Sequence, residues 1–519
     1  MPAAGGNYAF TAQVDASSET ADDETKFPGD LTQFFDVSEN ASNRPLWNIG
    51  GDLYLFLVDG VGGFTWQIFV YKSTDGGATW TDVTPGSPQK FEEHASVTLG
   101  LQYVNIGAVI YIPQVFRDGS SNQFIRVYRF DTGSLAWLAD SPDIQIGVSA
   151  DSYIPLQVAA RANGEIVLIS SNFAGAPFVD DSLLVVYNSV TNSFTAANLL
   201  GLDVADISAS GVDSVGRLHF FCGTWPTQAR DTSGTFTAQH YVVNADNSIT
   251  GPDDIAIVTP FVVPSHDSGN AAWVSIGQPV FYTEDSTPMM AIPIRTNSTT
   301  IGLYAAAEST MPTWTLAATI TADPGQVFET SSACFMFPMA LLPVDFNGQL
   351  RLYAFWVSQA GDLWDNPGQS ALFHAFLLDG TLSTPLADYS QSAQLMPGSP
   401  YPVEISSDAS TFVLGVFFPV FDGVDFLGGP DDLAENLLTI TLTAETATAD
   451  CSITIGSPGQ RRTVGGGGSN VVSGAGHGAG AEECSPFVNL MAGAMLLEKF
   501  DQDECLPVEI LAAVGWGNR

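Results

Sequence analysis

The runs VDSVGRLHF (residues 212–220) and VDFNGQLRL (residues 344–352) share valine, aspartate, glycine and leucine at matched positions. Weaker versions of the same pattern are NIGGDLYL from Asn48, NIGAVIY from Asn105 and ANGEIVL from Ala162. In each version a turn with glycine leads into an apolar run of strand length. The repeated pattern therefore predicts a series of β-hairpins.

The glycines of these turns recur with a period of 52 to 57 residues: Gly51, Gly107, Gly164 and Gly216. The next turn glycine, Gly348, follows Gly216 by 132 residues, which leaves room for one more unit. The run STPMMAIPI around Pro288 occupies this interval and contains no glycine. A seventh apolar run, STFVLGVFFPV, begins at Ser410. The sequence thus contains seven units of similar length.

A β-meander of this length cannot bury both of its faces alone, whereas radial stacking of several meanders covers both faces of each. The weak alternation of polar and apolar residues within the strands agrees with burial on both sides. We therefore predict an all-β fold, a seven-bladed β-propeller of four-stranded antiparallel blades, for residues 45–456.

The composition excludes several classes of partner. Of the 519 residues, 56 are acidic and 16 basic, which gives a net charge of −40. This charge repels phosphate groups, so we expect no nucleic acid and no anionic membrane as partner. No apolar run reaches the roughly 18 residues of a membrane span. The opening MPAAGGNYAF lacks the basic and apolar regions of a secretory signal, so we expect no Sec signal peptide.

One turn carries a more specific motif, SxDxGxxW, which is formed by Ser73, Asp75, Gly77 and Trp80. This motif resembles the Asp-box, or BNR repeat, of sialidase-like β-propellers. The resemblance implies a structural role, in which the aspartate holds the turn and the aromatic residue packs between blades. Two further turns, Asp131–Trp137 and Asn188–Phe194, are closer to the kelch pattern.

The resemblance to sialidase-like propellers raises the possibility of glycoside hydrolysis, but the residues that this chemistry needs are not evident in the sequence. Sialidases need an arginine triad, but this chain has only twelve arginines, and its Ile292–Arg295 run has the Arg-Ile-Pro components in another order. Any acid-rich chain has carboxylate pairs, so their number decides nothing. We expect no catalytic residues. His240 and His374, at matching places in two units, are interpreted as inter-blade residues rather than ligands.

The turn at Asp75 joins the third and fourth strands of its blade, so the loops between second and third strands open on the opposite face. These loops are long and contain the candidate binding residues Trp66, Trp225, Trp364 and Phe426. Tryptophan is enriched at binding hot spots. The alternative is that these aromatic rings fold back on their own loops. The acidic loop 421–436 could ligate Ca²⁺, the only cofactor considered, or be simply solvated.

Both ends of the chain differ from the repeats. Residues 1–44 form an N-terminal extension, in which Tyr8–Val14 is predicted to be a strand that closes the last blade. Residues 457–483 are predicted to be a glycine-rich linker, followed by a short, partly helical docking segment, 484–519. Its apolar residues include Phe487, Leu490, Met495, Leu497 and Ile510. This segment is predicted to dock on another protein, the alternative being its own propeller.

Five features together resemble those of a tailed-phage virion protein. They are the start without a secretory signal, the strong acidity, the low lysine content, the single Asp-box-like turn and the apolar C-terminal segment. The resemblance implies a non-enzymatic structural or binding protein that contacts other virion proteins, forms an oligomer, and recognises a host surface glycan or receptor. Two alternatives stay open: a carbohydrate-active enzyme of the sialidase-like type, and a cellular scaffold propeller. The corresponding locations are the virion and, for the alternatives, a secreted or cytoplasmic setting.

Overall fold

The computed structural model describes residues 45–465 with internal gaps. The longer gaps cover residues 92–102, 173–181, 225–235, 259–275, 329–336, 392–399, 422–432 and 444–451. All regular elements among the described residues are β-strands, so the all-β prediction is confirmed. No helix with the length and hydropathy of a membrane span occurs in this part of the chain.

The first three blades follow one another without interruption. Blade 1 contains β1 (Leu46–Ile49), β2 (Asp52–Gly60), β3 (Trp66–Ser73), β4 (Thr81–Asp82) and β5 (Gln89–Phe91). Blade 2 contains β6 (Val104–Ile106), β7 (Val109–Arg117), β8 (Gln123–Asp131), β9 (Ala136–Trp137) and β10 (Ile144–Gly147). Blade 3 contains β11 (Tyr153–Ala160), β12 (Glu165–Asn172), β13 (Leu183–Asn188), β14 (Ser193–Phe194) and β15 (Asn198–Leu199).

The next three blades have longer strands. Blade 4 contains β16 (Asp206–Val212), β17 (Leu218–Thr224), β18 (Phe236–Val243) and β19 (Ile249–Val258). Blade 5 contains β20 (Val280–Glu284), β21 (Thr287–Asn297), β22 (Thr300–Ala307) and β23 (Thr315–Thr321). Blade 6 contains β24 (Met339–Phe346), β25 (Gln349–Asp362), β26 (Asn366–Leu378), β27 (Thr381–Leu382) and β28 (Leu386–Gln391).

The described part of blade 7 has three strands, β29 (Tyr401–Ser407), β30 (Thr411–Phe421) and β31 (Leu433–Thr443). Every blade is an antiparallel meander in chain order. In blades 1, 2, 3 and 6 the fourth position is occupied by two short pieces that both pair with the third strand, as β4 and β5 do with β3. The predicted seven-bladed propeller of antiparallel blades is confirmed. Four strand positions are filled in blades 1 to 6, and three in the described part of blade 7.

The recurring glycines of the sequence pattern lie in the tight turn between the first and second strands of a blade. Gly107, Gly164 and Gly216 have φ values of +63°, +85° and +86°, in the region that only glycine adopts without strain. In blade 5 the same turn contains Asp285 and Ser286 instead, with φ values of +46° and +65°. Aspartate tolerates this region better than most residues, which explains how this unit dispenses with a glycine.

The hydrophobic core is divided into clusters that lie between blades. Ile166 and Leu168 of β12 pack in one cluster with residues of blade 2, while Val167 and Ile169 of the same strand pack with residues of blade 4. Successive side chains of a strand point to opposite faces, so each blade contributes to two clusters. Burial on both faces explains why the blade strands are apolar without alternation.

The ring closes through contacts between blades 7 and 1. Leu46 and Leu53 belong to one buried cluster with Ile405 and Leu437. The Asn48 side-chain amide donates to the carbonyl oxygens of Glu404 and Ile405 at 2.7 and 2.9 Å. The predicted closing strand Tyr8–Val14 lies outside the described residues, so its role stays a prediction.

A separate hairpin follows the propeller in sequence, with β32 (Ser452–Ser457) paired to β33 (Gln460–Gly465). It belongs to a second compact unit of the chain. The predicted linker, 457–483, overlaps this hairpin at its beginning, because the sequence QRRTV has strand character that the surrounding glycines conceal. The docking segment 484–519 and its residues Phe487, Leu490, Met495, Leu497 and Ile510 lie outside the described residues.

Candidate functional site

Of the four candidate binding residues, only Trp66 lies among the described residues. Trp66 is the first residue of β3, and its side chain is not described. Trp225, Trp364 and Phe426 lie outside the described residues, so the binding face stays a prediction. The acidic loop considered for Ca²⁺ also falls largely outside them. Among the described residues, no group of three or more His, Cys, Asp or Glu side chains is arranged to hold a metal ion.

One loop of this face, between β7 and β8, is described almost completely. The Asp118 carboxylate accepts the backbone N–H groups of Ser120 and Asn122, both at 2.8 Å, which folds the loop into a compact turn. At its base, the rings of Phe116 and Phe124 stack with centroids 5.6 Å apart. In this blade the aromatic rings therefore fold back on their own strands, which is the alternative weighed for the whole face.

The turn from Ser73 to Trp80 has its own hydrogen-bond network. The Ser73 hydroxyl donates to Asp75 Oδ1 at 2.8 Å and accepts the Gly77 N–H at 2.8 Å. The Asp75 carboxylate accepts the backbone N–H of Thr79 at 2.9 Å and its hydroxyl at 2.6 Å. The bond from the Thr79 hydroxyl contributes most to lowering the pKa of Asp75, followed by that from its backbone. The carboxylate thus holds the turn closed.

The same turn also joins two blades. Trp80 is buried in the cluster that contains Ile405 and Leu437 of blade 7. Gly77 has a φ of +98°, and a Cβ atom on it would lie 2.1 Å from Leu437 Cδ2. The glycine is therefore required both by the backbone and by the neighbouring blade. This geometry has the kind of structural role that the Asp-box resemblance implies, while membership of that repeat family remains a resemblance.

A hydrogen-bonded cluster of ionisable side chains lies on the blade 4 face that packs against blade 5. His219 Nε2 is 3.0 Å from Asp213 Oδ2, and His219 Nδ1 is 2.8 Å from His240 Nε2. His240 Nδ1 is in turn 3.3 Å from Asp253 Oδ2. The Arg217 guanidinium donates to Asp213 at 2.5 Å. We call these five residues the His219–His240 network.

The strands of blade 4 bring these residues together. Asp213 lies in the turn after β16, and His219 is the second residue of β17. His240 lies on the adjacent β18, opposite Phe221. Phe281 of blade 5 covers the His219 ring at 5.6 Å, and a Cβ atom on Gly211 would lie 2.4 Å from the same phenylalanine. Glycine at position 211 therefore makes room for the ring that seals the network.

The two histidines of the network are fully buried. The side chains of His219 and His240 have no exposed surface, and burial disfavours the charged form of His240. The donor and acceptor roles along this chain of three contacts depend on the tautomers of the two rings. Burial first, and then the charge of Asp254, raise the pKa of Asp253, whose carboxyl group faces His240 Nδ1.

The pKa values of two members have clear causes. Burial, followed by the electrostatic effects of His219 and Arg217, lowers the pKa of His240 to about 3. Burial alone would raise the pKa of Asp213, but hydrogen bonds from His219 and Arg217 outweigh it and lower the pKa to about 2. At neutral pH the network therefore holds an ionised Asp213 beside a neutral His240.

Blade 6 shows what replaces this network elsewhere. In the matched sequence pattern Arg351 corresponds to His219, and in the strand register Phe376 corresponds to His240. The Arg351 guanidinium lies 5.0 Å from the Phe376 ring centroid. His374 is buried but pairs with Phe355, two residues further along the strand. His240 and His374 were expected at matching positions of their blades, but the strand registers place them two residues apart. Both side chains are buried.

Sequence inspection missed the His219–His240 network. Asp213 and His219 were noted only as parts of the repeat, and the two histidines are 21 residues apart in sequence. The available signal was the substitution of His219 for the arginine of the matched copy. The register that brings His240 beside it could not be read from a single sequence.

Three arginines whose side chains are described bond to other groups of the propeller. Arg126 forms a bidentate pair with Asp143 at 2.7 and 2.9 Å, on an exposed part of blade 2. Arg295, from the Ile292–Arg295 run, is fully buried and donates to the Phe328 carbonyl oxygen at 2.7 Å. Arg161 pairs with Glu165. These guanidinium groups support the fold and do not converge on one another as a carboxylate-binding triad would.

Comparison with known proteins gives a fold likeness alone. No protein-family profile matches the sequence, and no curated protein sequence matches it. The solved structures similar to it include the Dos1 propeller, at 10% identity and a TM-score of 0.37, which covers 72% of this chain and 76% of that one. A GH43_1 enzyme from Xanthomonas citri complexed with xylose has 10% identity and a TM-score of 0.29, covering 57% and 96%. A subtype N11 neuraminidase-like protein of A/flat-faced bat/Peru/033/2010 (H18N11) has 8% identity and a TM-score of 0.28, covering 51% of this chain and 69% of that one. At these values the likenesses carry no information on activity.

Proposed function

We propose that this β-propeller is a non-enzymatic binding and structural protein of a virion. The segment 484–519 attaches it to neighbouring virion proteins. The loops that contain Trp66, Trp225, Trp364 and Phe426 recognise a glycan or receptor on the host surface. The ring of blades serves as the rigid scaffold that positions these loops.

One observation supports the non-enzymatic part of this proposal: two turn aspartates and the buried His219–His240 network bond to groups of the propeller itself. Asp75 and Asp118 accept turn N–H groups, and the five members of the His219–His240 network bond to one another. A catalytic acid or base needs access to substrate, whereas the His219 and His240 side chains have no exposed surface.

The virion part is supported by the sequence, through its strong acidity, the single Asp-box-like turn and the apolar segment that follows the glycine-rich stretch. Mass spectrometry of purified virus particles tests it directly. We expect peptides from this chain in intact particles, in stoichiometric amounts. Their absence from particles, with the protein present in infected-cell lysate, would contradict the proposal.

The binding face is tested by the variants Trp225→Ala and Trp364→Ala in a host-cell or glycan-array binding assay. Loss of a hot-spot tryptophan costs about 2 kcal/mol, or roughly thirtyfold in affinity. Val190→Ala is the matched control, because Val190 is 82% exposed in a turn of the opposite face. Release of reducing sugar from host polysaccharide by the wild-type chain would favour the glycoside hydrolase alternative.

A further inference from the structure

The outermost strand of each blade presents an edge that can receive another strand. In blades 1, 2, 3 and 6 this position is filled by interrupted pieces such as β4 and β5. Interruption is one of the ways in which proteins prevent edge-to-edge pairing. Only blades 4 and 5 have one continuous outer strand among the residues that the structure describes, β19 and β23.

These two strands differ in how their edges are protected. β19 contains Pro252, Asp253 and Asp254, and its pairing with β18 is broken by two irregularities. Proline and charge both discourage an added strand. β23 has the sequence TLAATIT, with no proline and no charged residue. Its one irregularity lies near Ala317, and the register from Ala318 to Thr321 is regular.

The hydrogen-bond pattern shows which backbone groups of β23 face outward. The Ala322 N–H donates to the Thr299 carbonyl oxygen at 3.0 Å. Hydrogen-bonded and non-hydrogen-bonded pairs alternate along an antiparallel ladder. Ile320 and Ala318 therefore bond to β22, while the N–H and C=O groups of Thr319 and Thr321 point away from it. Both threonines are exposed, so a partner strand would find two outward-facing residues with the spacing of a ladder.

Apolar side chains accompany this edge. Leu316, on β23 itself, is 54% exposed, and Met311, in the turn before it, is 56% exposed. Few large apolar side chains in the described chain are exposed to this degree. An added strand would pack its own side chains against them, so the backbone edge and the apolar contacts favour the same occupant.

We propose that β23 is an interaction site that receives an extended segment of a partner protein as an added antiparallel strand. The chemistry of the segment follows from charge. Glu308 and Asp323 lie before and after an uncharged strand, within a chain of net charge −40. The fitting segment has an uncharged, β-branched centre and basic residues at its ends. A second copy of this chain would bring equal negative charge instead. This site is independent of the loop face.

A labelled synthetic nonapeptide tests the site on the full-length chain. The peptide alternates valine and threonine between terminal lysines, and its binding is measured by fluorescence anisotropy at low salt. We expect saturable binding that Thr319→Pro weakens about tenfold or more, because proline removes an outward N–H group. Thr319→Val is the matched control, since it keeps that N–H, and it should bind as the wild type does. A peptide with terminal glutamates should bind more weakly.

Hydrogen exchange on the wild-type chain keeps the proposal testable should the proline variant fold poorly. The lysine-ended peptide should protect the amides of Thr319 and Thr321, with no comparable change on β19. Absence of protection at saturating peptide would overturn the proposal. Protection of the same amides in the chain alone, rising with its concentration, would identify the occupant as a second copy and would equally overturn it.

Discussion

Replacing His240 with phenylalanine should remove much of the acid sensitivity of the propeller. The substitution introduces the residue that blade 6 has at the equivalent register, where Phe376 lies beside Arg351. The His240 side chain has no exposed surface and contacts the Phe221 and Trp314 rings at 5.1 and 5.5 Å. An aromatic ring of similar size therefore fits the same space.

The expected magnitude follows from the pKa of His240. Burial lowers it from 6.5 to about 3, so the unfolded chain takes up a proton below pH 6.5 while the folded chain does not until about pH 3. The free energy of unfolding therefore falls as the pH decreases through this range, by about 1.4 kcal/mol per pH unit. Between pH 7 and pH 5 the loss is about 2 kcal/mol.

The other charged groups around the two rings modify this figure in known directions. Asp213 has a pKa of about 2 and stays ionised throughout the interval. Asp253 has a raised pKa, so its protonation in the folded chain opposes the loss as the pH falls. At pH 7 the variant should be less stable than the wild type by about 1 kcal/mol, because His219 loses one hydrogen-bond partner.

The measurement is urea unfolding followed by tryptophan fluorescence at pH 7, 6 and 5. The wild-type free energy of unfolding should decline across the series, and that of His240→Phe should be nearly constant. Tyr241→Phe is the matched control on the same strand, because it leaves the network intact and should follow the wild type. An equal decline in His240→Phe and wild type would refute the assignment of acid sensitivity to this histidine.

Two further substitutions or deletions test other parts of the molecule. In the same urea-unfolding assay, Gly77→Ala should lower the free energy of unfolding by about 2 kcal/mol or more, because of its positive φ and its close approach to blade 7. Gly86→Ala is the control and should have little effect, because a Cβ atom there would meet no atom within 4 Å. Deletion of residues 484–519 should leave the thermal midpoint of the propeller nearly unchanged but abolish assembly with virion partners, and a large fall in the midpoint would assign the segment to its own propeller instead.

The blade architecture was predictable because its signals are local. A glycine with positive φ between two apolar runs, as at Gly164 or Gly216, marks one hairpin and can be recognised in a single unit. Counting such units gives the number of blades, even where Asp285 and Ser286 replace the glycine. The covering of both strand faces followed from the absence of alternation, and the clusters on either side of β12 confirm it.

The arrangement of side chains between blades could not be predicted from the sequence. The His219–His240 pair depends on the register of β17 against β18, and one residue of slip would place His240 on the other face. The contact of Gly77 with Leu437 joins residues from opposite ends of the propeller sequence. The loops with Trp225, Trp364 and Phe426 have no repeated pattern. These residues were therefore predicted to bind a partner only because aromatic side chains in long loops are frequent in binding sites.

The placement of the hydrophobic clusters between blades has a consequence for how such a sequence can diverge. Side chains pack at the junction between two blades, and the junctions differ in composition. On one side of blade 4, two histidines pack against Phe281. On the other side, Val167 and Ile169 pack with Phe220. A substitution at a junction can then be compensated by a second substitution in the neighbouring blade. It need not restore the residue that the other units have at that position. Seven copies of one hairpin can in this way lose their likeness to one another while the ring persists. The likeness should last longest in turns such as those at Gly107 and Gly216, where a Cβ atom would meet no neighbouring atom and only the backbone conformation restricts the residue.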